Sequence, residues 1–173
     1  RWHKDYLLLC FKKAEDTGVD FIISSYYEVD EDGNRNEGKQ IPEKFILNDW
    51  LLYNPGLLCS NMFFKSNSFK TLGGFDSKLS VSGDRDVMIR SMEKKFKYKV
   101  LKKKIVFYSI FTPGLSRARL FKYLNSNMRF YFKHFFKMSF KIHFLSLKKF
   151  IYVFLSYNYN LIKKMFVFLI NLL

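Results

Sequence analysis

At Arg117 the chain changes from short alternating elements to a single helical repeat. Leu120, Leu124, Met128, Tyr131, Phe135, Met138, Ile142 and Leu145 follow at steps of four and three, an apolar stripe along one long helix, while Arg129, Lys133, Lys137 and Lys141 lie on another side. Charge divides unevenly too. All 15 acidic residues fall before residue 94, together with 12 basic ones, whereas residues 94–173 hold 18 basic residues and no acid. A rear of this kind attracts polyanions, either nucleic acid or anionic lipid. A basic, phenylalanine-rich helix either lies in a membrane interface or packs on its own domain behind a lysine-coated face. Residues 150–173 favour interfacial or re-entrant attachment, being apolar and aromatic yet broken by Asn158, Asn160, Lys163 and Lys164, where a spanning helix needs about 20 consecutive apolar residues. Residues 117–173 are therefore expected to form a basic, membrane-associating helical region with an anionic membrane surface as partner. Specific nucleic-acid binding is not expected, because the phenylalanines recur at helical spacing and lack the glycine–aromatic signature of an RNA-binding sheet.

The front alternates. Residues 4–15 predict a helix with Leu7, Leu8, Phe11 and Ala14 on its inner side and Gly18 as its stop. Residues 19–25 read as a strand buried on both faces, extended through 26–29, and residues 30–35, DEDGNR, as a polar turn tightest at Asp32 and Gly33. A second helix opens at Pro42, carries Phe45, Ile46, Trp50 and Tyr53 inward, and ends at Asn54, Pro55 and Gly56. Residues 57–64 predict a strand, 66–72 a short helix capped by Ser66, 98–108 a strand with a lysine cluster near its middle, and 112–116, TPGLS, a turn. The pattern is α/β, with 49% hydrophobic residues in 173, enough for a core. Cys10 and Cys59 stand alone in apolar runs, consistent with a reducing compartment and with neither a disulfide scaffold nor a zinc site.

Chemistry gathers in residues 73–90, GGFDSKLSVSGDRDVMIR. Gly73 and Gly74 allow a sharp corner that presents Phe75 and Asp76. Ser82 or Gly83 can cap a helix whose first turn holds Asp84 and Asp86, where unpaired amides and the dipole favour carboxylates. A carboxylate fixed there beside a glycine-shaped pocket is a candidate general base. The plainer reading is that both aspartates only stabilise the helix start. Arg90 is expected to pair with Asp86 one turn earlier, at about 0.3–0.5 kcal/mol if exposed. Asp30, Glu31 and Asp32 read as solvated turn residues, and His3, His134 and His143 as ordinary residues, not metal ligands.

In order, these segments resemble the C-terminal half of the catalytic domain of family-2 inverting glycosyltransferases, which have the GT-A fold. RW near the start resembles the segment after that family's Asp-rich metal motif, VDFIISSYYEVDEDG its following strand and turn, and CSNMFFKSNSF the strand leading to the glycine corner. GGFD followed by GDRDVMIR resembles the acceptor corner and base-bearing helix, and TPGLSR the turn ending the domain. The resemblance spans residues 1–119 and implies a partial GT-A mixed sheet with flanking helices over 1–116. Asp84 aligns with the family's base; Gly83 stands where the first acid of its usual Glu-Asp pair would be. Gly74, Phe75, Asp76 and Asp86 fall on the acceptor side and Trp2 at the edge of the donor site. The activity implied by the resemblance is transfer of a sugar, with inversion, from a nucleotide-sugar donor to an envelope glycan or lipid-linked acceptor, as in polysaccharide biosynthesis, at the cytoplasmic face of the cell membrane. Mg²⁺ or Mn²⁺ is implied for the complete enzyme, but its ligands and the nucleotide-binding half would precede Arg1, so this chain is expected to be a fragment inactive alone. The alternative is a non-enzymatic membrane-surface or nucleic-acid-binding protein built on the cationic rear.

Overall fold

The computed structural model describes residues 1–110 and 120–170, without the side chains of Asp49, Leu120 and residues 157–170. The turn expected at 112–116 lies outside the described residues. The chain forms two compact units, Arg1–Lys133 and His134–Leu173. The division between these units falls after the first stretch of the helical repeat.

The first unit is α/β, organised on one strand. Strand β1 (Phe21–Val29) has a mixed set of neighbours. Along one edge it pairs parallel with β4 (Tyr98–Ser109) over its whole length. Along the other it meets two short antiparallel strands end to end: β3 (Met62–Phe64) at residues 21–23 and β2 (Arg35–Glu37) at residues 27–29. The 30–35 turn joins β1 to β2, with Asp30 accepting from the Asn34 amide at 2.8 Å and Gly33 at φ 85°. Both faces of β1 are covered, as its continuous apolar run predicts. On one face Ile22 and Tyr26 pack with Tyr6, Cys10 and Ala14 of helix α1 (Tyr6–Thr17) and with Ile105 and Val106 of β4. On the other, rings stack in a row: Phe64 on Phe21, Phe21 on Tyr98, Tyr98 on Phe45, and Phe45 edge-on to Trp50.

Helix α1 ends as expected at Gly18, which adopts a left-handed φ of 62°. Its inner face is not the expected one. Tyr6, Cys10 and Ala14 are buried, while Leu7, Leu8 and Phe11 are exposed. Only Ala14 belongs to both sets. The sheet accepts the face whose residues recur every four positions, with Tyr6 in the same buried cluster as Ile22 and Tyr26 and the small Cys10 and Ala14 allowing close approach.

Helix α2 (Leu47–Leu52) begins five residues after Pro42. Trp50 is wholly buried and Phe45 half-buried, but Ile46 and Tyr53 face outward. The run at 57–64 is strand only in β3; a single 3-10 turn, Cys59–Asn61, precedes it because Asn61 folds back to accept from the Leu58 amide and donate to the Gly56 carbonyl. Helix α3 (Ser66–Leu72) has the expected bounds, but Lys65 occupies its N-cap and no side chain caps it. Helix α4 (Gly83–Glu93) is buried along most of its length.

The long helix expected after Arg117 is broken. Helix α5 (Leu120–Lys133) belongs to the first unit and packs there through Ser126 and Phe130, not through the expected line of Leu124, Met128 and Tyr131. In the second unit a 3-10 turn, Phe135–Lys137, precedes helix α6 (Phe140–Ile170). Among the described residues no helix is long and apolar enough to cross a membrane.

Candidate functional site

The loop from α3 to α4 and the loop from α2 to β3 meet at Asp84. Helix α3 ends in two successive left-handed glycines, Gly73 at φ 79° and Gly74 at φ 71°. The glycine at 73 carries no neighbour where a Cβ would stand, so the backbone angle alone requires it. The reversal presents Phe75, which is exposed and meets Phe69 edge-on, and turns Asp76 toward α5. Seven residues later Ser82 caps α4 with its backbone; its hydroxyl goes instead to Asn127 of α5 at 3.4 Å.

Asp84 lies in the first turn of α4, half-buried. One carboxylate oxygen accepts from the Arg85 amide at 2.8 Å and the other from Asn54 Nδ2 at 2.9 Å. Burial raises its pKa above the ordinary carboxylate value; the Arg85 amide, the Arg85 charge and Asn54 pull the other way without cancelling it. Asn54 is itself fixed, since its Oδ1 accepts from the Gly56 and Leu57 amides and its Nδ2 also reaches the Leu57 carbonyl. Arg85 turns inward and donates to the Trp50 and Leu51 carbonyls at 2.9 and 2.7 Å, with the Phe130 ring 4.2 Å from its guanidinium carbon. Burial lowers its pKa to about 10. Cys59 stands near enough for the Asp84 charge to raise its thiol pKa, after burial as the larger cause.

Asp86, two residues on, has different surroundings. It is wholly buried and held by Arg90 at 2.8 Å and Lys133 Nζ at 2.9 Å. The Asp86–Arg90 pair expected from the sequence is present, in a buried setting. Arg90 also donates to the Leu72 and Gly74 carbonyls, so the pair pins the glycine corner to α4. Lys133 bonds Asp76 at 2.8 Å as well, and Asp76 accepts from the Lys78 amide. One lysine of α5 therefore clasps both the corner and the helix.

Trp2 is 53% exposed, pairs with Val106 at the outer edge of β4, stacks on Tyr6 at 4.7 Å and donates its indole N–H to the Ser60 carbonyl at 2.7 Å. It lines a cleft of about 670 Å³ with Asp30, Arg35, Ser60 and Phe107. The residues 54–61 join the two ends of the region, Asn54 holding Asp84 and Ser60 holding Trp2. Phe75 closes on the other side, 3.6 Å from where a Cβ on Gly83 would stand. Among the described residues no three His, Cys, Asp or Glu side chains gather in a group that could hold a metal ion. Comparison of the sequence with protein-family models and with curated proteins returns no match.

Asn54, Arg85 and Lys133 are the site residues that sequence reasoning missed. Asn54 read only as a helix stop and Lys133 as part of a basic face. No local pattern links either to Asp84 or Asp76, which lie 30 and 57 positions away.

Proposed function

We propose that the first unit is the acceptor-side half of a GT-A-like inverting glycosyltransferase, with Asp84 as the general base. The observation that carries this reading is the Asp84 carboxylate: half-buried at the mouth of α4, oriented by Asn54 and the Arg85 amide, with a raised pKa. Such a group is a stronger base than a solvated carboxylate. The mixed pairing around β1 and the double-glycine corner beside α4 support the same reading.

In the proposed step Asp84 removes the proton from an acceptor hydroxyl as that oxygen bonds to the anomeric carbon of a nucleotide sugar. The bond from that carbon to the diphosphate oxygen breaks, and the nucleoside diphosphate leaves from the opposite face, inverting the centre. Phe75 and the Gly74 corner offer a wall for an envelope glycan or lipid-linked acceptor, Trp2 marks the donor edge, and Asp76 and Asp86 hold the corner through Lys133. Donor binding and the divalent ion are assigned to residues other than those described.

Two experiments test the proposal. In a transferase that joins these residues to a nucleotide-binding half, Asp84→Asn lowers kcat by about 100- to 10,000-fold; retained turnover removes Asp84 from its role. Calorimetric titration of the 173-residue chain with sugar nucleotides and Mg²⁺ yields no tight binding, and a micromolar, metal-dependent isotherm would contradict the assignment to the acceptor side.

A further inference from the structure

Helix α6 has two faces of different fate. Ile142 and Ser146 are buried. Phe140, Phe144, Leu147, Ile151, Phe154 and Leu155 are all exposed and follow at steps of four, three, four and three, with Leu155 beside Phe154, so they form one continuous stripe on one side of the helix. Phe140 is 88% exposed, and Phe136 in the preceding turn is 99% exposed. This is not the stripe the sequence suggested, which ran through Met138, Ile142 and Leu145. Monomeric proteins rarely leave so many large apolar side chains in line and in water.

The charge around the stripe says what covers it. Lys141, Lys148 and Lys149 are exposed on the same helix, and residues 134–173 contain six lysines and no acidic residue. A second copy of this helix would bring lysines against lysines with no carboxylate to meet them. An anionic lipid surface offers the complementary charge and an apolar layer at the depth that phenylalanine and leucine reach. The lysines at 141, 148, 149, 163 and 164 also recur too often along the helix for it to lie within hydrocarbon.

We infer that α6 docks in the plane of an anionic bilayer, its Phe140–Phe144–Leu147–Ile151–Phe154 stripe in the acyl boundary and its lysines among the headgroups. This assignment is independent of the catalytic reading. About 46 Å of helix then lies flat on the surface.

The test uses the 173-residue chain and vesicles of phosphatidylcholine with or without about one-third phosphatidylglycerol. The chain floats with the anionic vesicles and far less with the neutral ones, and added salt weakens the binding. Phe144→Ser with Ile151→Ser, its helix content checked by circular dichroism, binds at least about tenfold more weakly. Lys148→Ser with Lys149→Ser loses on the order of tenfold at low salt. A third variant, Phe144→Trp, guards against misfolding effects: its added emission, above that of Trp2 and Trp50, shifts to the blue with vesicles and is quenched by acyl-brominated lipid. Three results would overturn the inference: unchanged flotation of the double-serine variant, an introduced indole that lipid bromine does not quench, or a dimer in lipid-free sedimentation velocity that the double-serine change dissolves. The last assigns the stripe to a second copy of the chain.

Discussion

Asp84 is held between solvation and chemistry. Its surroundings favour the protonated form, so ionising it costs the folded state stability. Below the ordinary carboxylate value of 3.8 that cost is absent; it grows as pH rises from there to the higher folded value and persists above it. Asp84→Asn is therefore expected to raise the thermal midpoint by a few degrees at neutral pH, with the gain vanishing near about pH 3. A calorimetric melt of both proteins at the two pH values checks it, and a loss of stability at neutral pH contradicts it. The same charge is readable without any substrate. Cys59 keeps part of its surface open to reagent while the packing around its thiol, and then Asp84, raise its pKa, so removing that charge is expected to speed alkylation of Cys59 at fixed pH. Cys10 is the internal control: it is buried, and burial pushes its thiol up to about 11. Equal rates in the two proteins would show that Asp84 is not ionised where Cys59 can sense it.

Among the elements, α5 decides how rigid the site is. Along one side it sends Ser126 to the Val81 amide, Asn127 to Ser82, Phe130 to Arg85 and Lys133 to Asp76 and Asp86. The Lys133 contact holds Asp76 below its ordinary value; burial pulls the Lys133 ammonium down, and the two carboxylates more than offset it. The clasp on Asp76 thus loosens only as pH falls through a value below the ordinary 3.8, and the ammonium is lost only above the ordinary 10.5. Lys133→Met leaves Asp86 with Arg90 as its remaining cation among these contacts and is expected to cost about 1–3 kcal/mol in denaturant unfolding. Hydrogen exchange over residues 76–82 should accelerate in step; unaltered protection there would mean that α5 does not restrain the corner. Local signals made most elements readable in the sequence. The glycines at 18 and 73 fixed two helix ends, and the apolar run of β1 announced a strand covered on both faces. Facing was harder, because a 3.6-residue period groups residues without saying which group meets the sheet. In α1 both Leu7–Leu8–Phe11 and Tyr6–Cys10–Ala14 satisfy it, and packing against Ile22 and Tyr26 of β1 takes the second. In α5 the line 124–128–131 looked inward by composition, yet the turn at 81–82 and two carboxylates drew 126, 130 and 133 instead. The Asp84 site was half readable for the same reason: its helix mouth is local, whereas Asn54 and Lys133 reach it only through folding.

At the scale of the molecule, an α/β unit with its acids intact is joined to a helical unit that has none. The first unit is organised by β1, and its partner β4 is the longer strand by three residues, 12 against 9. The surplus is absorbed in two register shifts, between Ser24 and Ser25 and between Ser25 and Tyr26, opposite Lys102, Lys103 and Ile105. Beyond β1, the pairing of β4 among the described residues is the single bridge at Trp2, so none of them forms a strand beside its first half. Lys99, Lys102 and Lys103 are exposed on this strand, Lys102 paired with Glu43 at 2.8 Å. Irregular spacing and repeated charge there are expected to hinder a strand from another molecule from annealing to it, a hazard for any sheet that stops without closing. That makes the lysine run a determinant of how this protein fails. With Lys99→Val and Lys103→Val the edge becomes flatter, more apolar and less charged, and light scattering is expected to rise with concentration at temperatures well below the melt, whereas the parent stays clear. Scattering that remains flat would mean something else guards the edge. If the scattering rises as expected, what keeps the first unit from self-association is a run of lysines on β4, on a different element from the helix that carries Asp84.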